Sequence, residues 1–233
     1  MGNQKYKLTK DNQGYWDRIR RARSWVARAQ ALESLPIQAD GDADFHEIFI
    51  SYWIAFNALY GRLNETGHGR YLRPDDSDAQ WFLHRICDLD AGPGRILSAL
   101  QDLRKEARAL LKSKYLSETY WRESYSSNVK HDLEDQTNSA EENLAAGDVH
   151  AFLTILLWKR VRMLRNQVFH GCSTNRDSLN KDTLDPALRV LRVVIPLFIE
   201  IMEERIDKQN EWPRIPFPRY KSPQNHESES SHL

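Results

Sequence analysis

Cysteine is almost absent: Cys87 and Cys172 are the only two in 233 residues, too few for a disulfide framework, and a reducing compartment is expected. Long apolar runs are missing as well. The most apolar stretches, Phe152–Trp158 and Val190–Met202, are short or interrupted by Arg192 and Glu200, whereas a membrane-spanning helix needs about 20 mainly apolar residues. The N-terminus is polar and has no apolar leader core, so a cytoplasmic location without membrane attachment is expected. Glycine and proline are scarce, 10 and 9 residues, which excludes collagen-like and low-complexity chains. Neither sign of charge dominates. Lys plus Arg and Asp plus Glu are each 33, so no global field argues for nucleic acid or membrane.

The distribution of charge says more than its sum. Residues 1–30 carry Lys5, Lys7, Lys10, Arg18, Arg20, Arg21, Arg23 and Arg28 against Asp11 and Asp17. Residues 131–148 carry Asp132, Glu134, Asp135, Glu141, Glu142 and Asp148 without Lys or Arg. A basic end and an acidic segment are compatible with a polyanion site on one side of the fold, or with two solvated helix faces.

Apolar residues recur at helical spacing nearly throughout, and no strand pattern or internal repeat stands out. The expected fold is all-α: an up-and-down bundle of four main helices with a helical insertion at about 64–147, in one domain over 1–210. The first helix spans about 13–34. A second follows residues 40–44 and places Phe45, Phe49, Trp53, Phe56, Tyr60 and Leu63 on one stripe. Residues 64–76 read as a loop. Ser77-x-x-Gln80 resembles a capping box for a helix ending near Leu89, and another helix carries Ile96 to Leu111. Asp148 is the expected N-cap of the penultimate helix and Gly171 its C′ residue. The last helix is expected to start with Asp185 as cap and Pro186 in first position, with a kink at Pro196. Residues 211–233, rich in Pro and Ser, read as an extended tail.

The penultimate helix carries the chemistry. At about 100° per residue, Leu153, Leu157, Val161, Leu164 and Val168 fall within an arc of about 80°, the face packed on the core. Asn166 then lies about 180° from the stripe's centre, with Arg165 and His170 to either side. Phe169 shares this outward face with Lys159 and Arg162, and an outward aromatic among cations marks a contact surface, here assigned to a second protomer.

Arg165-Asn166-Gln167-Val168-Phe169-His170 resembles the Arg-x4–6-His motif of the HEPN superfamily, including the polar residue after the Arg. The segment Phe49–Gly61 also resembles the second helix of the Apea-like branch of that superfamily. The resemblance implies a homodimeric, metal-independent endoribonuclease with a composite site where two motif helices meet. It implies Arg165, Asn166 and His170 as catalytic residues, no cofactor, and a toxin–antitoxin or anti-phage setting with an inhibitory protein partner. The alternative within the superfamily is a non-catalytic module that binds RNA, nucleotide or a protein.

Elementary chemistry leads to the same requirement. Attack of a 2′-hydroxyl on phosphorus needs a base, an acid and positive charge at the developing phosphorane. One chain offers a single well-placed His, whereas two-fold pairing supplies two imidazoles and two guanidinium forks. A helix C-terminus favours the protonated imidazole of His170 by ~0.3–1 kcal/mol, which suits an acid or a phosphate contact better than a metal ligand. An Arg and a His at such a place are also ordinary dipole partners. Lys159, Arg162 and Arg176 are the expected RNA contacts. The arginines of the first helix and Lys159, Arg160 and Arg162 either track an RNA backbone or pair with the acidic segment.

Other motifs are weak. His46-Glu47 lacks the second His of a zinc-protease helix, since Ile50 stands in its place. His84-x-x-Cys87 has ligand-like spacing without a second pair, and reads as a surface His and a buried Cys. Gly92-Pro93-Gly94-Arg95 is too short for a phosphate loop and reads as a turn. The many Trp and Tyr sit mostly at core spacing.

Overall fold

The computed structural model describes residues 12–35, 45–61, 75–122, 128–169 and 178–213, and among them every regular element is helical. In chain order these are α1 (Gln13–Glu33), α2 (Phe45–Tyr60), α3 (Asp75–Asp90), α4 (Arg95–Asp102) and α5 (Arg104–Lys112). A 3₁₀ turn at Lys114–Leu116, α6 (Glu118–Arg122) and α7 (Asn128–Ala146) follow. The motif helix comes next, built of α8 (Val149–Leu153), a π-helical segment (Thr154–Val161) and α9 (Arg162–Phe169). α10 (Ser178–Glu204) and a 3₁₀ turn (Ile206–Glu211) close the described fold. No helix is long and apolar enough to cross a membrane among the described residues.

α1 buries Tyr15, Ile19, Ala22, Val26 and Ala29, a three-and-four spacing that presents one stripe to α2. α2 buries Ile48, Phe49, Tyr52, Trp53, Phe56, Leu59 and Tyr60. Its aromatic rings meet edge to face, Trp53 on Phe56 at 5.4 Å and Phe56 on Phe82 at 6.0 Å. That density makes α2 the central element, as its sequence predicts. α10 packs against α1, α2, α3, α4 and α5, and one continuous core runs from Tyr15 to Trp212.

The elements between α2 and the motif helix share this core, contributing Phe82, Ile86, Leu100, Leu110, Leu111, Ala140 and Leu144. The acidic segment at 131–148 is mostly α7, a helix held by Leu133, Thr137, Ala140 and Leu144 at helical spacing. Three local expectations are corrected. Ser77 lies inside α3, which begins at Asp75. The stretch from Ile96 to Leu111 breaks at Leu103 into two helices. α10 begins at Ser178, so Asp185 and Pro186 sit inside it, and the Asp185 carboxylate receives Arg189 Nε at 3.0 Å instead of capping.

Two joints have plain local causes. α7 ends in a Schellman motif: Asp148 N–H donates to Asn143 O at 2.8 Å, and Gly147 takes φ +77°, a region glycine enters without a Cβ penalty. The next helix starts at once, with Asp148 Oδ1 accepting from Ala151 N–H at 3.0 Å, as the sequence predicts.

Arg18 is the main polar tie of the core. It is fully buried, and its guanidinium donates to the carbonyls of Gly14, Leu59, Gly61 and Pro213 at 2.6–3.0 Å. Leu59 and Gly61 lie at the C-terminal end of α2, whose carbonyls have no partner within the helix. Trp212 packs over Arg18 at 5.8 Å and edge-on to Tyr15 and Trp81. Packing therefore continues through Trp212, past the expected domain end at residue 210.

Candidate active site

The motif helix does not keep one register. Over Thr154–Val161 it is π-helical, so each turn takes one residue more than an α-turn. The buried set follows that count: Phe152 and Leu157, Leu153 and Trp158, Leu156 and Val161 are five apart, and all six are buried. An eight-residue π segment is rare, and π-turns are frequent at functional sites. Its effect is to widen the buried face and to turn α9 away from the orientation given by a uniform wheel. Asn166 is consequently half-buried instead of fully outward, and Arg165 is half-buried beside it.

The basic cluster divides under this register. Arg160 points inward and is 1% exposed, donating to Leu116 O at 3.2 Å and Gln136 Oε1 at 3.0 Å. Burial pulls its guanidinium down to about 10. Arg160 is therefore a structural tie from the motif helix to the 3₁₀ turn and α7, not an RNA contact. Arg162 lies over the Trp158 ring at 4.8 Å and donates to Trp158 O. Lys159 is exposed.

Arg165 and Asn166 form a unit. Arg165 Nη1 donates to Asn166 Oδ1 at 2.9 Å, and the guanidinium carbon sits 4.8 Å above the Phe169 ring. Arg165 Nε is shielded from solvent and has no acceptor. No carboxylate lies within ion-pair distance of Arg165 among the described residues, nor of Arg160 or Arg162. Elsewhere such partners are usual: Arg20 with Asp17, Arg23 with Glu203, Arg28 with Glu47, Arg108 with Glu141, Arg192 with Glu33. Arg20, Arg23 and Arg28 of the first helix thus find carboxylates outside the acidic segment, whose Glu141 is taken by Arg104 and Arg108. One sequence signal for this contrast is available: no Asp or Glu occurs between Asp148 and Asp177.

Phe169 is 51% exposed at the end of α9. In α9 Leu164 is buried, Phe169 is exposed and the other residues are half-buried, Val168 packing against the core. A neighbour that residue spacing did not reveal is the 3₁₀ turn: Gln167 Nε2 donates to Tyr115 O at 2.5 Å. His170, Arg176, Gly171 and Cys172 lie outside the described residues, as do Lys5, Lys7 and Lys10.

Among the described residues no three His, Cys, Asp or Glu side chains are placed to hold a metal. His84 is exposed and pairs with Asp88 at 3.1 Å, and its ring meets His150 edge-on at 5.4 Å. Burial, then Asp88, Asp90 and Asp148, push the Cys87 thiol up to about 12. Folding therefore favours the thiol over the thiolate. This group's contribution is intact below its ordinary value of 9.0 and is lost as pH rises toward about 12. Since the thiolate is the nucleophile, Cys87 in a Cys172→Ser protein should resist a disulfide reagent at pH 8 and react fully once denatured. Cys87 is half-buried, not fully buried as its sequence position suggests, and fast native labelling would contradict the raised thiol.

No family model, curated protein or solved structure matches the chain.

Proposed function

We propose that this chain is a metal-independent endoribonuclease of the HEPN type, in which α1, α2, the motif helix and α10 form an up-and-down bundle and two motif helices meet in a homodimer. The observation that supports it best is Arg165: a guanidinium with a sheltered, unsatisfied Nε and no carboxylate among the described residues, next to Asn166 and an exposed Phe169. A desolvated donor without an acceptor is costly unless a ligand completes it, and a phosphate offers both oxygens and charge.

In this mechanism the RNA 2′-hydroxyl attacks the adjacent phosphorus. The O2′–P bond forms, the O5′–P bond breaks, and the products are a 2′,3′-cyclic phosphate and a 5′-hydroxyl. One imidazole takes the 2′-hydroxyl proton and the other, protonated, gives one to O5′; His170 and the partner's His170 fill these roles. Arg165 neutralises the phosphorane and Asn166 orients it. Lys159, Arg162 and Arg176 contact the flanking backbone. The resemblance that supports this chemistry also supports a toxin–antitoxin or anti-phage setting, with an inhibitory protein partner.

Phe169 tests the composite site. Phe169→Glu places a charge at the dimer contact without touching the core, and should sediment as a monomer, keep its helical circular dichroism and lose RNA cleavage. A variant that stays dimeric, or a monomer that cleaves like the parent, would refute the shared site.

A further inference from the structure

The motif helix carries two guanidiniums, each backed by an aromatic ring. The guanidinium carbon of Arg162 lies 4.8 Å from the Trp158 ring centre, and that of Arg165 lies 4.8 Å from the Phe169 ring centre. Arg162 is the more firmly held of the two, because Trp158 is itself buried and its carbonyl also accepts from Arg162 Nε at 3.1 Å. Arg162 makes no other hydrogen bond, ion pair or ring contact among the described residues. With one face on the indole and Nε spent on a carbonyl, what remains for a ligand is the second flat face and the Nη edge.

Helix geometry places this group beside the site. α9 runs without a break from Arg162 to Phe169, and at about 100° per residue Arg162, Arg165, Asn166 and Phe169 share an arc of about 100°. Residues three or four apart on a helix have Cβ atoms about 5–6 Å from one another, so Arg162 neighbours both Arg165 and Asn166. It lies nearly opposite the buried Leu164. No Asp or Glu occurs between Asp148 and Asp177, which suits this face to an anion. A simple anion would use the Nη edge alone, whereas a nucleic acid brings negative charge for the edge and a flat ring for the face.

We infer that the Arg162 guanidinium, backed by Trp158, is a stacking plane for an unpaired RNA base next to the phosphate held at Arg165. This deepens the ribonuclease reading and rests on it. Stacking uses the face of Arg162 and leaves its Nη edge for the backbone contact, so one residue does both. A base inside a duplex presents no free face, and every base has a π face, so the plane selects for an unpaired base of any sequence.

The test uses two fluorescein-labelled strands of equal length and charge, a 2′-O-methyl oligoadenylate and an abasic strand on the same backbone, neither with a 2′-hydroxyl nucleophile. Anisotropy is measured over a range of salt for wild type, Arg162→Lys and Arg162→Ala, and cleavage of unmodified oligoadenylate is followed alongside. Arg162→Lys keeps the charge and loses the plane. It should bind oligoadenylate about tenfold more weakly, the effect of one lost stack, and bind the abasic strand like wild type with the same salt dependence. Arg162→Ala should weaken both strands and lower the slope of log affinity against log salt by about 0.7. Wild-type binding of both strands by Arg162→Lys, with cleavage by wild type intact, would overturn the stack and leave the ribonuclease reading standing. Equal weakening of both strands by Arg162→Lys would also overturn it, because the loss would not lie in the bases. A wild type that neither binds nor cleaves would overturn both.

Discussion

Arg165→Ala should lower the rate of RNA cleavage by about 10²–10³-fold, the usual consequence of removing one charge-stabilising donor from a phosphoryl or acyl transition state. The fold should survive the change. Arg165 lies on α9, where only Leu164 is buried, and its polar contact is with the adjacent Asn166. The loss should therefore appear in kcat, with thermal unfolding shifted by a few degrees at most. Arg165→Lys should recover only part of the rate, since an ammonium keeps the charge and lacks the fork that spans two phosphate oxygens. A variant that cleaves like wild type would remove Arg165 from the chemistry, whatever its effect on binding.

Arg18→Ala should be the most destabilising single change in α1. Four backbone carbonyls from the start of α1, the end of α2 and the residue after Trp212 converge on this buried guanidinium. Alanine leaves them without a donor and opens a void under Trp212. Each orphaned buried acceptor costs about 1–3 kcal/mol, and mutual relaxation brings the sum to roughly 3–5 kcal/mol. For a chain of this size the midpoint should fall by on the order of 10 °C. Differential scanning calorimetry reads this directly. A midpoint within a degree or two of wild type would mean that water satisfies those carbonyls as well as Arg18 does.

Much of the helical order is legible because burial is periodic. The α1 stripe from Tyr15 to Leu32 and the aromatic stripe of α2 need no tertiary information, and Asp148 announces its helix start by residue type. The bounds of α7 were hidden by composition: Leu133, Ala140 and Leu144 stand among many carboxylates, and Thr137 serves as core through its hydroxyl, which donates to Leu111 O and Leu133 O. At α10 the Asp185-Pro186 pair has the residue types of a helix start, but Leu184 packs into the core on its N-terminal side, and the helix extends back over it. Trp212 sits between a helix end and prolines, and nothing local says that Arg18 and Tyr15 leave a slot for it.

The grouping of the candidate site's described residues was legible, and their orientation was not. Arg165, Asn166 and Phe169 stand together as their spacing predicts. A uniform wheel sets Leu156 and Trp158 about 100° from the stripe's centre, yet both are buried; no residue preference in Thr154–Val161 marks the π register that goes with burying Leu157 beside Trp158. Gln167 looked like a spacer and is the link to Tyr115. That contact was invisible because Tyr115 lies 52 positions away in sequence and meets α9 only in the fold.

The most direct measurement is the chemistry of the RNA ends left by purified wild-type protein in EDTA, with His170→Ala alongside. Products bearing 2′,3′-cyclic phosphate and 5′-hydroxyl ends, absent with His170→Ala, are the expected result of 2′-hydroxyl attack at a metal-free composite site. Products with 3′-hydroxyl and 5′-phosphate ends that form only when magnesium is supplied would contradict it.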